Sequence, residues 1–445
     1  MTHDTGPGPR LLALWDHLGL GAAHVATQMA GDIAGIAQTA PHRLAGIVLC
    51  VPARLDPAPF MPVSNRTTLI AGQFGMTAAV TETARLRLPG SSRHVLAAYD
   101  APGWADVVAD RTAEILSILS ELPPIPPISL PQGTGTHAGI TYTIKGEGPP
   151  LVLLPFFLAP SQWDPAISAL TERFTVIVLG GRYLGGVAAL EDRAAGRSYR
   201  ALVRSMWDAM AIGAADIILD VGCGSGALDR LLAPRLIEGR IVATDLNPFL
   251  LKEATVLAEE VTGRILFQQA NAEKLPFADG LFDAAFTVTV LEECDADLAL
   301  RELYRVVKPG GRVGVIVRSI DLPQWWNLSL PPELKRKVET PPQSVGARGV
   351  ADASLYPRMR LAGFDNLYCF PSLVTFDHPD GPIWRYREDH ILAQLTEAET
   401  VIWRTAVRTA RETGLLFMAN PMHCAAGTKP FPNRSAAGTT TGNQH

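Results

Sequence analysis

Short apolar runs recur along the chain, each followed by a stretch whose apolar residues fall at helical spacing. GIVLC and TTLIAG lie in the first quarter, PLVLLPF and TVIVLGG before residue 187, and the same rhythm resumes from Ile217 to about Val317. Runs buried on both faces, alternating with amphipathic helices, predict parallel α/β units. One stretch breaks the rhythm. LPPIPPISLPQGTG, residues 122–135, is crowded with prolines that lack amide donors and fix the backbone, so a stiff linker is expected over 123–136. The polar tail NRSAAGTTTGNQH ends the chain, and disorder is expected over 431–445. The pattern divides into a domain at 1–196, with the linker inside it, and a domain at 197–430.

Composition adds limits. A chain of 445 residues that is 47% hydrophobic can bury more than one core. A net charge of -5, from 39 basic and 44 acidic residues, gives no general attraction to nucleic acid or to an anionic membrane. Cys50, Cys223, Cys294, Cys369 and Cys424 are scattered without metal-type pairing, which fits a reducing compartment and no bound metal. The opening MTHDTGPGPR lacks a basic region followed by an apolar core. No apolar run approaches the roughly 18 residues of a membrane span. The expectation is a soluble cytoplasmic protein.

The chemistry concentrates in LDVGCGSGALDR, residues 219–230. An apolar strand runs into Gly222, Gly224 and Gly226, and leucines at helical spacing follow, which places the glycines on a strand-to-helix turn. Such a turn lets ligand backbone approach closely and points helix-start amides at an anion or carboxylate. Gly222, Gly224 and Ala227 also fit the dinucleotide spacing G-x-G-x-x-G/A. Asp245 closes the strand RIVATD, where a carboxylate can accept both hydroxyls of a ribose. These features alone leave a nicotinamide enzyme and a methyltransferase equally open.

The succession of motifs separates the two. The Asp220 to Gly226 turn, then ATDLNP, NAEKLPFADGLFDAAFTVTVLEE and ELYRVVKPGGRVGVIV, resembles the ordered motifs of class I S-adenosylmethionine-dependent methyltransferases. The branch it looks most like acts on small molecules and is related to ubiquinone and menaquinone biosynthesis enzymes. The likeness is dense from about Tyr199 to Ser319 and thinner to about Pro430. It implies a Rossmann-like α/β fold with S-adenosyl-L-methionine as cofactor. The glycine turn would border the methionine part, Asp220 its amino end, and Asp245 the ribose. Leu246 would pack on the adenine unless it is ordinary core. Asn271 and Ala272 stand where that family often has Asp-Ala, so the adenine edge would lose a charge and keep an acceptor. A side chain at Gly224 is expected to block the cofactor with the fold intact, and the core from Tyr199 onward is expected to bind cofactor alone.

Transfer of an activated methyl is an in-line displacement that depends mainly on positioning, and a base is needed only for a protonated acceptor. Thr289, Glu292 and Glu293 follow the fourth strand of this half and are the weak candidates. His423 and Cys424 fall near the closing hairpin, where a structural histidine is expected. The N-P-P-Y signature of amino methylation is absent. Trp325 and Trp326 offer either apolar walls or core. An NAD(P)-dependent oxidoreductase and a non-catalytic cofactor-binding protein remain as alternatives, and arsenite methylation is disfavoured by ungrouped cysteines.

The first half resembles an α/β-hydrolase with its order reversed. Residues 137–187 look like the opening strands of that fold, and residues 10–121 like the nucleophile strand and those after it. The nucleophile position holds Gln28, the acid position holds Gly75, and no histidine lies between His94 and His137. The resemblance implies a degenerate, circularly permuted hydrolase-like domain, with the strand TVIVLGG expected beside a strand of the first segment. Two separate remnants are the rival arrangement.

Overall fold

A computed structural model describes residues 7–100, 106–181, 183–261, 263–343, 345–376 and 381–432. Among these residues the strands form two sheets. The first comprises β1 (Ala23–Thr27), β2 (Leu44–Cys50), β3 (Thr67–Phe74), β4 (Ser92–Asp100), β5 (Gly133–His137), β6 (Ile140–Lys145), β7 (Pro150–Leu153) and β8 (Thr175–Gly180). Their order is β4-β3-β2-β1-β7-β8-β6-β5. From β4 to β8 neighbours run parallel, while β6 is antiparallel to both β8 and β5.

One sheet therefore draws strands from both sides of the proline stretch. The seam is the parallel pairing of β1 with β7, His24 opposite Leu151 and Ala26 opposite Leu153. TVIVLGG, expected at this seam, lies one place further out as β8. Burial gives the reason: every residue of β1 and β7 is buried, whereas β8 leaves Val178 part-exposed. A central parallel strand must be apolar on both faces, so the fully apolar run takes the inner place. Trp15, Ile33 and Ile36 cover one face of the sheet, and Trp163, Phe156, Ile115 and Leu119 the other.

The linker is shorter than expected. Gly133–His137 pairs with β6 as β5, because the residues after Pro131 again carry amides able to join a ladder. Within the stretch, the Ile128 amide donates to Gly148 O at 3.0 Å, and the Thr175 hydroxyl to Ile128 O at 3.0 Å.

The second sheet holds β9 (Ile217–Val221), β10 (Arg240–Asp245), β11 (Ile265–Gln269), β12 (Phe282–Val288), β13 (Val307–Arg318), β14 (Trp325–Trp326), β15 (Asp365–Phe376) and β16 (Met418–Thr428). Five strands run parallel in the order β11-β10-β9-β12-β13, and antiparallel β16 closes the sheet between β13 and β15. The helices Pro332–Glu339, Pro382–Leu392 and Glu397–Glu412 build a separate apolar cluster. Trp326 belongs to that core, edge-on to Trp384 and Trp403 at about 5 Å between centroids, whereas Trp325 is 44% exposed. Helix Gly185–Ala195 leaves the first sheet, and helix Arg197–Ala209 packs on the second. No helix of the described residues is long and apolar enough to cross a membrane. Most of the tail expected to be disordered, from residue 433 onward, lies outside the described residues.

Because β1 and β7 pair in the middle of the first sheet, cutting the chain inside the linker should not separate its parts. A protease site inserted after Pro131 should yield two fragments that co-elute and unfold in one transition. Separation of the fragments on gel filtration would show that the seam contributes little.

Candidate functional site

The glycine turn follows β9, in the middle of the parallel strands, and its position is set by one carbonyl. The amides of Gly222 and Cys223 both donate to Thr244 O on the adjacent β10, at 2.7 and 2.8 Å. Two buried threonines tie β9 sideways, Thr244 Oγ1 to Asp220 O at 2.9 Å and Thr287 Oγ1 to Val221 O at 2.7 Å. Gly222, Gly224 and Gly226 all adopt left-handed φ, at 81°, 59° and 69°. A Cβ on Gly222 would collide with Val290, and one on Gly224 would lie 3.0 Å from Leu190. The expectation that a larger residue at Gly224 leaves the fold intact is therefore corrected, since a β-branched residue is strained at that φ and meets Leu190.

Asp245 bridges the turn and the next loop. Its Oδ2 accepts from the Gly224 amide and its Oδ1 from the Asn247 amide, both at 3.0 Å. Burial raises its carboxyl above the usual range, and the backbone bonds of the turn and loop oppose that shift. Leu246 is 58% exposed, so it is not core. Asn271 is exposed, and its side-chain oxygen accepts from the Glu273 amide at 2.9 Å, which leaves one lone pair at that edge. Ala272 is half-buried beside it.

Asp220 is 2% exposed and faces Asp229, which is fully buried. Neither oxygen of Asp229 has a hydrogen-bond partner among the described residues. Burial pushes both above the usual carboxylate range, Asp229 to about 7, and the neighbouring Asp229 charge raises Asp220 further. Tyr199, 1% exposed, lies within the electrostatic reach of Arg193, Asp220 and Glu292, and its hydroxyl has no hydrogen-bond partner among the described residues.

The three weak candidates part company. Thr289 sits at the end of β12 with φ 58°, its hydroxyl accepting from Arg193 Nη1 at 3.1 Å. Glu292 is fully buried, and burial pushes its carboxyl up to about 7. One of its oxygens accepts from the Arg318 amide at 2.7 Å, and the other has no partner among the described residues. Glu293 is exposed and reaches only Arg318 Nη2, at 3.4 Å. His423 is buried with both ring nitrogens engaged, to the Tyr356 hydroxyl and to Asp321, each at 2.8 Å. Cys424 is buried in the core behind β16.

Sequence reasoning missed Tyr199, Asp229, Glu191 and Arg193. A lone acid on the apolar face of ALDRLLA was a signal for Asp229, because unpaired acids are rarely fully buried. Nothing local marks Glu191, whose carboxylate accepts from the Ser225 hydroxyl of the turn at 2.6 Å and pairs with Arg230 at 2.7 Å.

A family model described as a methyltransferase domain matches residues 219–315. The C-terminal half carries a class I S-adenosylmethionine-dependent methyltransferase domain. Its relatives include the ubiquinone/menaquinone biosynthesis C-methyltransferase UbiE of Marinomonas sp., 33% identical over 132 residues, which are 28% of this chain and 52% of that protein. The protein Rv1405c of Mycobacterium tuberculosis is 38% identical over 109 residues, 24% of this chain and 39% of its own. The chain thus spans about half, or less, of the curated relatives it matches. Among solved structures, YcgJ of Bacillus subtilis aligns with 53% of this chain and 100% of its own at 18% identity, with a TM-score of 0.36.

The residues present in the methyltransferase domain fit its cofactor. The Asp245 carboxylate, an exposed leucine beside it, a buried carboxyl pair and the unpartnered Tyr199 hydroxyl converge on the carboxyl edge of the sheet. A cation brought to Asp220 is favoured by negative charge on this pair and opposed by the protons that burial favours. Affinity for S-adenosylhomocysteine, whose amino group is cationic, should therefore weaken as pH falls from about 8 to about 6, because Asp229, pushed up to about 7, takes up its proton there. Asp229→Asn removes the like charge and should move that loss to lower pH. Calorimetry across the pH range checks both, and a flat profile in the parent protein would exclude proton release at this pair.

Proposed function

We propose that the protein transfers a methyl group from S-adenosylmethionine to a small organic acceptor. The observation that carries this reading is the Asp245 carboxylate bonded across the glycine turn to Gly224, beside an exposed Leu246. The cofactor supplies an activated methyl on a sulfonium. Asp245 holds the ribose, Leu246 and the Asn271–Ala272 edge hold the adenine, and Asp220 with the glycine turn holds the amino-acid end. Thr289, fixed by Arg193, borders the reacting end. Of the three candidates, Glu292 has a carboxyl that burial pushes up to about 7, in the range of a base at neutral pH, and as a fully buried group it would serve only an acceptor that reaches its unpartnered oxygen. The kinship with UbiE and the net charge of -5 favour a small-molecule acceptor over nucleic acid.

Asp245→Ala should weaken S-adenosylhomocysteine binding about ten- to a hundredfold, the loss of a charge-assisted pair of hydrogen bonds. Unchanged binding would remove Asp245 from the site. A titration that finds NADH bound and S-adenosylhomocysteine not bound would instead favour an oxidoreductase. Incubation of metabolite pools with methyl-labelled cofactor tests turnover. Binding with no labelled product in any pool would make the chain a cofactor-binding protein without activity.

For the first domain we propose a single circularly permuted α/β-hydrolase-like unit without hydrolytic activity. Read as a circle from β5, its strands lie in the order first, second, fourth, third, then fifth to eighth, with an antiparallel second strand, which supports that reading. Gln28, in the nucleophile position, is 3% exposed and its amide oxygen accepts from the Phe157 amide at 2.9 Å. In a hydrolase an amide of that loop would hold the oxyanion. Here the side chain of Gln28 occupies it. A serine-reactive fluorophosphonate should leave residues 1–196 unlabelled, and stoichiometric labelling there would overturn the proposal.

A further inference from the structure

We infer that the first domain completes the cofactor site of the methyltransferase domain, with Glu191 and Asp106 as positioning residues that act through Ser225 and Asn247. The inference rests on the cofactor reading above and assigns a role to the half of the chain that this reading leaves idle. It departs from the expectation that the site is whole from Tyr199 onward.

Two hooks reach across from loops and a helix of the first domain. The first is helix Gly185–Ala195. Its start is seated on the first sheet: the Gly185 amide donates at 3.1 Å to Oδ2 of Asp32, a residue only 5% exposed in the helix after β1. Gly185 has φ 64°, and a Cβ there would lie 2.8 Å from Phe156 O, so only glycine allows this approach. Two turns on, the helix lies over the glycine turn of the second sheet. Leu190 is the side chain nearest Gly224. Both Glu191 oxygens accept from Arg230 Nη2 at 2.7 Å, and one also takes the Ser225 hydroxyl at 2.6 Å. Arg230 Nη1 in turn donates to Ser225 O at 2.7 Å. Ser225, in the middle of the turn and 1% exposed, is thus held at its hydroxyl and at its carbonyl by one ion pair.

The second hook works on the ribose acid. Asp106 Oδ2 accepts from Asn247 Nδ2 at 3.0 Å, and its Oδ1 is held by Gln162 of the same first domain. The Asn247 amide is the donor to Asp245 Oδ1, and the Asn247 side-chain oxygen caps helix Pro248–Leu257 by accepting from Phe249 and Leu250 at 3.0 Å. Ser161 adds a bond to Phe249 O at 3.2 Å. One hook fixes the turn that borders the amino-acid end, and the other fixes the loop that aims the ribose carboxylate.

Simple domain packing makes a different prediction. The same interface carries two exposed ion pairs that touch neither Ser225 nor Asn247, Lys252 with Asp164 at 2.9 Å and Arg404 with Asp56 at 3.7 Å. If the first domain only packs, breaking these should matter as much as breaking the hooks. If it positions, only the hooks should reach the cofactor. Losing Glu191 leaves a buried Ser225 hydroxyl without an acceptor, and the turn must shift to find one.

The test uses the full-length chain, with S-adenosylhomocysteine affinity by calorimetry and steady-state kinetics once an acceptor is in hand. Glu191→Ala should bind about tenfold more weakly, and Asp106→Ala about threefold, with KM for the cofactor rising and kcat held within about twofold. Glu191→Gln, which keeps an acceptor for Ser225, should recover most of the affinity. Glu191→Ala combined with Ser225→Ala should be no worse than Glu191→Ala alone, because the two residues act as one. Lys252→Ala and Arg404→Ala should bind like the parent. Should Glu191→Ala fail to fold by thermal melting, Ser225→Ala and Asp106→Ala carry the same comparison. Parent-like affinity in both Asp106→Ala and whichever of Glu191→Ala and Ser225→Ala is used, or an equal loss in Arg404→Ala, overturns the inference while the cofactor reading stands. A parent protein that binds no S-adenosylhomocysteine removes the cofactor reading itself.

Discussion

The cofactor edge depends on the carbonyl of Thr244, which takes two amide protons from the turn after β9. A strand that ends in three left-handed glycines has no intrinsic direction, and its exposed amides would otherwise turn to water. Bonding Gly222 and Cys223 to the neighbouring strand fixes where the turn points, and it brings the next residue of β10, Asp245, within reach of the Gly224 amide. The Asp245 carboxylate and the glycine turn are one hydrogen-bonded unit, so neither can move alone.

Burial sets the electrostatics of that unit. Asp220, Asp229 and Glu292 sit in low-dielectric surroundings behind the edge, and each is pushed toward its neutral form. A cation brought to this edge would favour the charged carboxylates that burial disfavours. The exposed pairs around the rim are screened by water and contribute little beside this.

The first sheet obeys a different constraint. Parallel strands need cover on both faces, and neither segment of the first half can provide it alone. β1 and β7 meet at the centre and let a single core form from residues on either side of the linker. That closure seats helix Gly185–Ala195 and the Asp106 loop at the carboxyl edge, from which they meet the second sheet. Gln28, buried and bonded to the Phe157 amide, helps to tie the two segments together.

Much of this was legible in the sequence because it is local. Strand and helix periods, the glycines at alternate positions and the acid at the end of the next strand follow from neighbours in the chain, and they placed Asp220, Gly222, Gly224, Gly226 and Asp245 at one edge. That residues 10–121 and 137–187 build one sheet was also expected from the succession of runs, and the strand order agrees. What the sequence did not hold was which strand would sit at the seam, because PLVL and TVIVLG are alike in pattern and differ only in how completely the fold buries them. Nor did it hold the partners of Glu191, Arg193 and Asp106, or the contact of Gln28 with Phe157 from 129 residues away. Local pattern records a period and a backbone preference. Which side chains meet across two sheets is decided only when both cores have closed and their carboxyl edges come together.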